Sequence, residues 1–395
     1  MQNRNEGITL IALIITIIIL LILVGVSINL AIKGDLFGSA EKAVSGTNDK
    51  TAQEQTRVDE LMGELGRVEE QQRQDNLPGT RVTENTKYVS NGKTAWIPKG
   101  FTVSGIKSEQ SIDNGLVIYD IPEGITPDWS NPDSVKTAYN QFVWIPVEVK
   151  STDTENSIAS FYRSEWTANE STGGERTNGL STDYTEPDST NDTADKTGIA
   201  NQIANLTKSI YKYGGFYIGR YEAGSETERT SSSGVTTLGI KQDMYPYNYV
   251  EWGDSESSIG TTGAVYLSNS LYNTNEYGAT SMLCTGACWD SMLDFIKDSK
   301  HSVTDSTKWG NYSNSETYKI YRGSLYNNSS WSLVDTTNGT DVTKGTSILL
   351  TTGATERNCS KNIYDVAGNC FEWTTESYSS SSRVYRGRQL LQRWF

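Results

Sequence analysis

Residues 8–32 form an almost unbroken apolar run, interrupted mainly by Thr9, Thr16, Gly25, Ser27 and Asn29. At 1.5 Å per residue, a helix of that length crosses the about 30 Å hydrocarbon core of a bilayer. A buried helix of a soluble domain is shorter and keeps a polar face, which this run lacks. The sequence therefore predicts a transmembrane helix over residues 8–33, with everything after it folding as a tethered body. Flanking charge is sparse, with Arg4 before the run and Lys33 after it, so the positive-inside rule does little to orient it.

Beyond the span, residues 34–79 read as a helical stalk. Val58, Leu61, Met62, Leu65 and Val68 recur at i, i+3, i+4, i+7 and i+10, one stripe on a helix. The stripe suits packing against a neighbouring stalk or against the following domain, and the sequence leaves both open. Leu77-Pro78-Gly79 ends the helix. From residue 80 the texture changes to short β-type runs, such as 94–97 and 116–119, separated by Gly, Asn and Pro. Residues 151–197 are dominated by Ser, Thr, Asn, Asp and Glu and predict a long, solvent-exposed insertion.

Composition removes several function classes. The 48 acidic against 34 basic residues give a net charge of -14, which repels a phosphate backbone and disfavours nucleic acid as a partner. His301 is the only histidine, which removes most Ser-His-Asp triads, histidine metal clusters and HExxH zinc sites. Twenty-two Tyr and ten Trp rule out a disordered chain, and 35 Gly suit a loop-rich α+β protein. Cys284, Cys288, Cys359 and Cys370 are candidates for one or two disulfides if the domain is exported, with the pairing open.

Several segments, in order, resemble the formylglycine-generating-enzyme family, also called the sulfatase-modifying-factor family. Phe142-Val143-Trp144-Ile145-Pro146-Val147 is similar to its early core strand, and Gly215-Phe216-Tyr217-Ile218-Gly219-Arg220-Tyr221-Glu222 to its F-x-I-x-x-Y-E strand. Pro246, Val250 and Trp252 fall at the spacing of P-x-x-x-V-x-W. Leu283-Cys284-Thr285-Gly286-Ala287-Cys288-Trp289-Asp290 aligns with L-P-T-E-A-E-W-E. Ile363-Tyr364-Asp365-Val366-Ala367-Gly368-Asn369-Cys370-Phe371-Glu372-Trp373-Thr374 aligns with Y-D-M-A-G-N-V-W-E-W-T, and Arg383-Val384-Tyr385-Arg386-Gly387 begins R-V-x-R-G-G-S-W. The resemblance spans roughly 300 residues and implies an α+β, C-type-lectin-like fold over residues 80–387. The residues fit such a fold on their own terms. Thr285 can cap a helix whose Trp289, Leu293 and Ile296 share a face, Gly368 suits a turn of unusual φ, and Phe371 and Trp373 alternate with Glu372 as strand neighbours do.

The resemblance also implies calcium at Asn369, Glu372 and nearby carbonyls, the hard oxygen ligands that this ion requires. It does not carry the oxidase activity over. The paired catalytic cysteines of the family lie beyond its R-G-G-S-W strand, and residues 388–395 contain none, so no enzyme and no copper are expected. Cys284 and Cys288 replace a proline and a glutamate of the family pattern. Residues 388–395 leave that pattern altogether and are read as an aberrant or truncated end, because a one-base shift in a permitted coding restores Gly-Ser-Tyr-Tyr-Ser-Gly-Gly-Ser.

Gly7-Ile8-Thr9-Leu10-Ile11 resembles the class III signal of type IV pilins, in which a peptidase cuts after the glycine, so residues 1–7 read as a leader with Gly7 as the processing site. Ala12 stands where most pilins carry the glutamate used in filament assembly, which favours a plain anchor. The expectation is a membrane-anchored, extracellular binding protein for a protein or glycan ligand. It is also related in fold to the diversified proteins of retroelements, whose surfaces use Tyr, Ser and Gly for contact. The alternatives are a minor pilin-like subunit that self-associates through its N-terminal helix, and an oxidase relative.

Overall fold

The computed structural model describes residues 40–179, 186, 198–253, 260–272, 276–327, 330–345, 348–379 and 382–387. The leader-like segment 1–7, the apolar run 8–33, residues 388–395 and most of 180–197 lie outside the described residues. The fold is mixed α+β. The chain divides into two compact units, residues 1–71 and 72–395.

Helix α1 runs Ala40–Asp75. Among the described residues no helix is long and apolar enough to cross a membrane. The expected stripe is present and open to solvent: Leu61 is 44% exposed, Met62 64% and Val68 50%. The stalk stops where the sequence indicated, with Gly79 at φ 78°. The last turn of α1 also does something composition did not reveal. Gln74 is buried, its Nε2 donates to the Lys87 carbonyl at 2.9 Å, and its Oε1 accepts from the Val89 amide at 2.9 Å. One amide thereby satisfies a donor and an acceptor of β1 (Thr86–Ser90).

Strand β1 pairs with β2 (Lys93–Ile97) through the two-residue turn Asn91-Gly92, at φ 52° and 73°. Positive φ at both positions is the turn that matches the twist of paired strands. The central sheet has the order β3 (Thr102–Val103), β4 (Val117–Tyr119), β5 (Gln141–Pro146), β8 (Gly215–Gly219), antiparallel throughout. Alternation sends successive side chains to opposite faces, and both faces are covered. Val117, Tyr119, Val143 and Ile145 enter one core, while Ile118 and Trp144 enter the other with Ile97, Phe101 and Tyr272. Helix α2 (Pro132–Ala138) lies between β4 and β5, and a hairpin of β6 (Ser164–Thr167) with β7 (Glu175–Asn178) lies between β5 and β8. This hairpin falls within residues 151–197, expected to be a long, solvent-exposed insertion. Its residues Arg163 and Ser164 bond inward to Asp290, at 2.9 and 2.8 Å, so polar composition here serves anchoring as well as solvation.

Helix α3 (Ile199–Tyr213) precedes β8. After it come the small sheet of β9 (Gly224–Ser225), β10 (Leu238–Gly239) and β11 (Tyr245–Pro246), then α4 (Ala264–Leu271) and α5 (Gly286–Ile296). The Thr285 hydroxyl accepts from the Cys288 amide at 3.0 Å, the expected cap, and Trp289, Met292 and Ile296 pack into the core against the sheet. Strands β12 (Tyr318–Ile320), β13 (Ser324–Asn327), β14 (Trp331–Leu333), β15 (Thr340–Val342) and β16 (Ile348–Leu350) enclose a separate small core. The hairpin of β17 (Glu372–Ser379) and β18 (Ser382–Arg386) closes the described chain.

A buried ion pair crosses the central sheet. Arg220 and Glu109 are 1% and 2% exposed and 2.8 Å apart. Ser104 and Tyr119 hydroxyls donate to the same carboxylate at 2.7 and 2.9 Å, and Lys136 lies 3.4 Å away. Burial works to raise the Glu109 pKa, but Arg220, Ser104 and Lys136 outweigh it and hold it below the usual value. Arg220→Met strands this carboxylate, and we expect a loss of about 3–5 kcal/mol in denaturant unfolding, as for other broken buried pairs. The double variant Glu109→Gln/Arg220→Met should recover part of that loss. A single variant as stable as wild type would show the pair to be idle.

Candidate functional site

The segment 363–372, singled out by its motif, is a turn that packs into the core before β17 begins. Ile363, Val366 and Ala367 belong to the main core. Asp365, Gly368 and Asn369 all have positive φ, at 61°, 90° and 64°. A Cβ at Gly368 would sit 2.1 Å from the Asn311 carbonyl oxygen, so only glycine fits there.

Asn369 is the hub of this turn. Its Oδ1 accepts from the Leu350 amide at 2.9 Å and from Asn311 Nδ2 at 3.2 Å. Its Nδ2 donates to the Leu350 carbonyl at 3.1 Å and to Glu222 Oε1. The side chain thus bonds β16 as a strand would, and ties it to the residue that follows the Phe216–Tyr221 run. With two N–H groups already on its oxygen, Asn369 does not fit the calcium role expected of it. The charge that acts on Glu372 comes instead from Asp365. Asp365 Oδ2 accepts from the Gly353 amide at 2.7 Å.

Three acidic groups therefore meet in the interior. Burial, then mutual repulsion with Asp365 and Glu372, pushes the Glu222 carboxyl well above its ordinary pKa. Burial lifts Asp365 to about 7, and burial followed by the Asp365 charge lifts Glu372 to about 8. Among the described residues no group of three or more His, Cys, Asp or Glu is spaced to hold a metal ion.

Glu222 and Glu372 also line a cavity of about 210 Å³. Its walls are mostly apolar and aromatic, including Ile218, Trp289, Phe371 and Trp373. Glu222 is 4% and Tyr221 3% exposed, yet Glu222 Oε2 and the Tyr221 hydroxyl have no hydrogen-bond partner. Tyr385 stacks against Phe371 and Trp373 with ring centroids 4.3 and 5.6 Å apart.

All four cysteines considered for disulfides, Cys284, Cys288, Cys359 and Cys370, are free thiols in this structure. Cys284 and Cys370 lie in the cavity wall. Burial is the first cause in each case, raising Cys284 and Cys370 well above the ordinary thiol value, Cys288 to about 12 and Cys359 to about 11. None is an activated nucleophile at neutral pH. His301 sits 3.0 Å from Asp298 and edge-on to Trp309, away from this site. Gly7 lies outside the described residues.

A second polar network, which no sequence signal marked, clamps the closing hairpin. Glu376 is fully buried and takes a bidentate contact from Arg386, at 2.7 and 2.8 Å, together with Arg163. Beside it Glu186 accepts from the Gly286 amide at 2.5 Å, at the start of α5, and from the Thr375 hydroxyl at 2.6 Å. Burial raises Glu186 to about 6.

No family model, curated protein or solved structure matches this chain.

The raised carboxyls set an unusual pH dependence. Asp365 and Glu372 keep their protons in the folded state up to about pH 7 and about 8, whereas the unfolded chain loses them near 3.8 and 4.5. Their contribution is full below the unfolded values and is lost as pH rises through the folded ones. In the presence of chelator, the melting temperature should therefore fall between pH 5 and pH 8.5, and Glu372→Gln should flatten the slope. A wild-type profile that rises over this range contradicts the arrangement.

Proposed function

We propose that this chain is a membrane-anchored, extracellular ligand-binding protein whose body is a non-catalytic member of the formylglycine-generating-enzyme branch of the C-type-lectin fold. The single observation that carries the reading is the 210 Å³ cavity, walled by aromatic and apolar side chains and by the carboxyls of Glu222 and Glu372. Small-molecule sites are built in this way, from an apolar concavity with few polar groups. The raised pKa of every thiol supports binding over oxidation chemistry. The sequence motifs support the lectin-type scaffold, with a buried, glycine-dependent turn at Gly368 and a capped helix at Thr285 in the positions the resemblance implies. The apolar run 8–33 supports the membrane tether. Where calcium enters this reading, Glu372 is the carboxylate that the resemblance implies for it.

A second reading, a minor pilin-like subunit with a lectin-like head, is favoured by the exposed stripe of α1, where Met62 and Val68 are 64% and 50% exposed. An anchor that only displays the head has no use for an apolar stripe left in water.

Protease added to intact cells that express the full chain should release the fragment beyond the stalk; a fully protected chain would overturn the extracellular placement. With the purified chain, a Cys-containing peptide and copper should give no aldehyde product, and turnover would restore the enzyme reading. Calcium should raise the melting temperature of wild type more than that of Glu372→Gln. Equal shifts would remove calcium from this site. A Cys substituted for Met62 and oxidised in membranes separates the two readings, since a disulfide-linked dimer marks packed stalks.

A further inference from the structure

We propose that the cleft between the β1–β2 hairpin and the end of α3 binds an acidic saccharide, one whose ring carries a carboxylate. This cleft is separate from the cavity beside the 363–372 turn, so the inference goes beyond the reading above and does not rest on it.

Four segments build the cleft. They are Thr83-Glu84-Asn85 ahead of β1, Trp96 on β2 with Lys99 after it, Lys212-Tyr213 at the end of α3, and Gly278. The space they enclose is about 540 Å³. Its parts are fixed in place. Asn85 Oδ1 accepts from the Lys99 amide at 2.9 Å, and the Lys99 carbonyl accepts from the Gly278 amide at 2.8 Å. A Cβ at Gly278 would sit 2.0 Å from that Oδ1, so only glycine leaves room for Asn85. Asn85 Nδ2 donates to the Tyr213 hydroxyl at 3.4 Å, and the Trp96 and Tyr213 rings meet with centroids 5.5 Å apart.

Donors outnumber acceptors here. Lys212 and Asn85 both donate to the Tyr213 hydroxyl, which lowers its pKa below the ordinary value. The Tyr213 proton then has no acceptor among the described residues, and neither has the Trp96 Nε1–H. Lys212 holds its Nζ 4.8 Å from the centre of the Tyr213 ring and has no carboxylate within ion-pair distance among the described residues. Such a wall suits a ligand rich in acceptors, and an ionised acceptor makes the stronger bonds.

Local charge agrees, although the chain as a whole is acidic. Residues 80–100 and 199–214 supply all of the wall except Gly278. They carry Arg81, Lys87, Lys93, Lys99, Lys208 and Lys212 against a single acidic residue, Glu84. Arg81 and Lys93 are matched by Glu276 and Asp113. Lys87 stands directly opposite Trp96 in the hairpin, and Lys208 lies one helical turn before Lys212. Screening over about 8 Å at physiological salt keeps distant carboxylates from cancelling this face. The remaining groups select the body of the ligand. Thr83, Glu84 and Asn85 are exposed polar side chains that an apolar carrier would leave facing carbon, whereas sugar hydroxyls donate to and accept from them. Half-buried Trp96 adds an apolar ring with a polar N–H, a support for a sugar ring.

The test is a ligand-detected NMR titration of the full-length chain in detergent, near pH 6, in low-salt buffer free of divalent ions. The probes are trigalacturonate, the neutral maltotriose and the cationic glucosamine trimer. Trigalacturonate should bind at least ~10-fold tighter than maltotriose, the step expected when charge-assisted bonds replace neutral ones, and should lose most of that lead in about 0.5 M salt. The glucosamine trimer should not bind. Lys212→Gln, an exposed change at a helix end, should bring trigalacturonate close to maltotriose and leave maltotriose unchanged. Trp96→Ala should weaken both. Should Trp96→Ala fail to fold, Asn85→Asp puts a negative charge among the donors and should abolish the preference for the acid. Phe371→Ala, in the wall of the apolar cavity, should change neither affinity, which keeps failure here distinct from failure of the small-molecule reading. Equal binding of the acidic and neutral sugars to wild type overturns the carboxylate class. Tightest binding of the glucosamine trimer, or binding of none of the three, overturns the site. A Lys212→Gln variant that retains the full preference overturns its placement in this cleft.

Discussion

One side-chain amide holds together segments that share no sheet. Asn369, at φ 64°, bonds both polar groups of Leu350, the amide of Asn311 and the carboxyl of Glu222. A strand could not perform this task, because its donors and acceptors alternate along a line, whereas three different chain segments arrive here at one point. The turn that presents Asn369 depends in turn on Gly368, where the Asn311 backbone leaves no room for a side chain. Everything around the cavity inherits its position from this junction. Glu222 is held by it on one oxygen, and Cys370, Phe371 and Glu372 follow it directly.

The interior treats like residues in opposite ways. Glu109 is as buried as Glu222, yet its carboxyl is held down and that of Glu222 is pushed up. The difference is the neighbour: Arg220 and two hydroxyl donors in the first case, two further carboxyls in the second. Glu109 is therefore a structural charge, already matched. The other three are pushed toward their neutral forms beside one another, with Glu222 and Glu372 in the cavity wall, and perturbed groups of this kind mark candidate binding sites.

Much of the framework was legible from residue patterns. The unbroken apolar run Phe142-Val143-Trp144-Ile145 is the two-faced burial of β5, and Thr285 caps the helix that its position announced. The glycine at 368 and the Asn91-Gly92 turn follow from backbone sterics alone. Long-range polar pairing was not legible. Nothing local marks Gln74 as a partner of β1, or Arg163 as a partner of Glu376 more than 200 residues away, because a hydrogen bond between distant segments leaves no period in the sequence. The same blindness misassigned Asn369. A motif reports which oxygen-bearing residues are near one another, but not which lone pairs other groups have already taken.

The four thiols illustrate how a fold can govern chemistry that happens to it rather than chemistry it performs. A thiol with a pKa near 12, as burial gives Cys288, is ionised at about one part in 10⁵ at neutral pH, and exchange with disulfides proceeds through that fraction. Once packed, these sulfurs are almost invisible to oxidants. In the unfolded chain they titrate normally and can mispair in any of three ways. In an oxidising compartment, biogenesis of such a chain would be a race: collapse of the core would have to outrun cross-linking, and the winner would then be preserved kinetically.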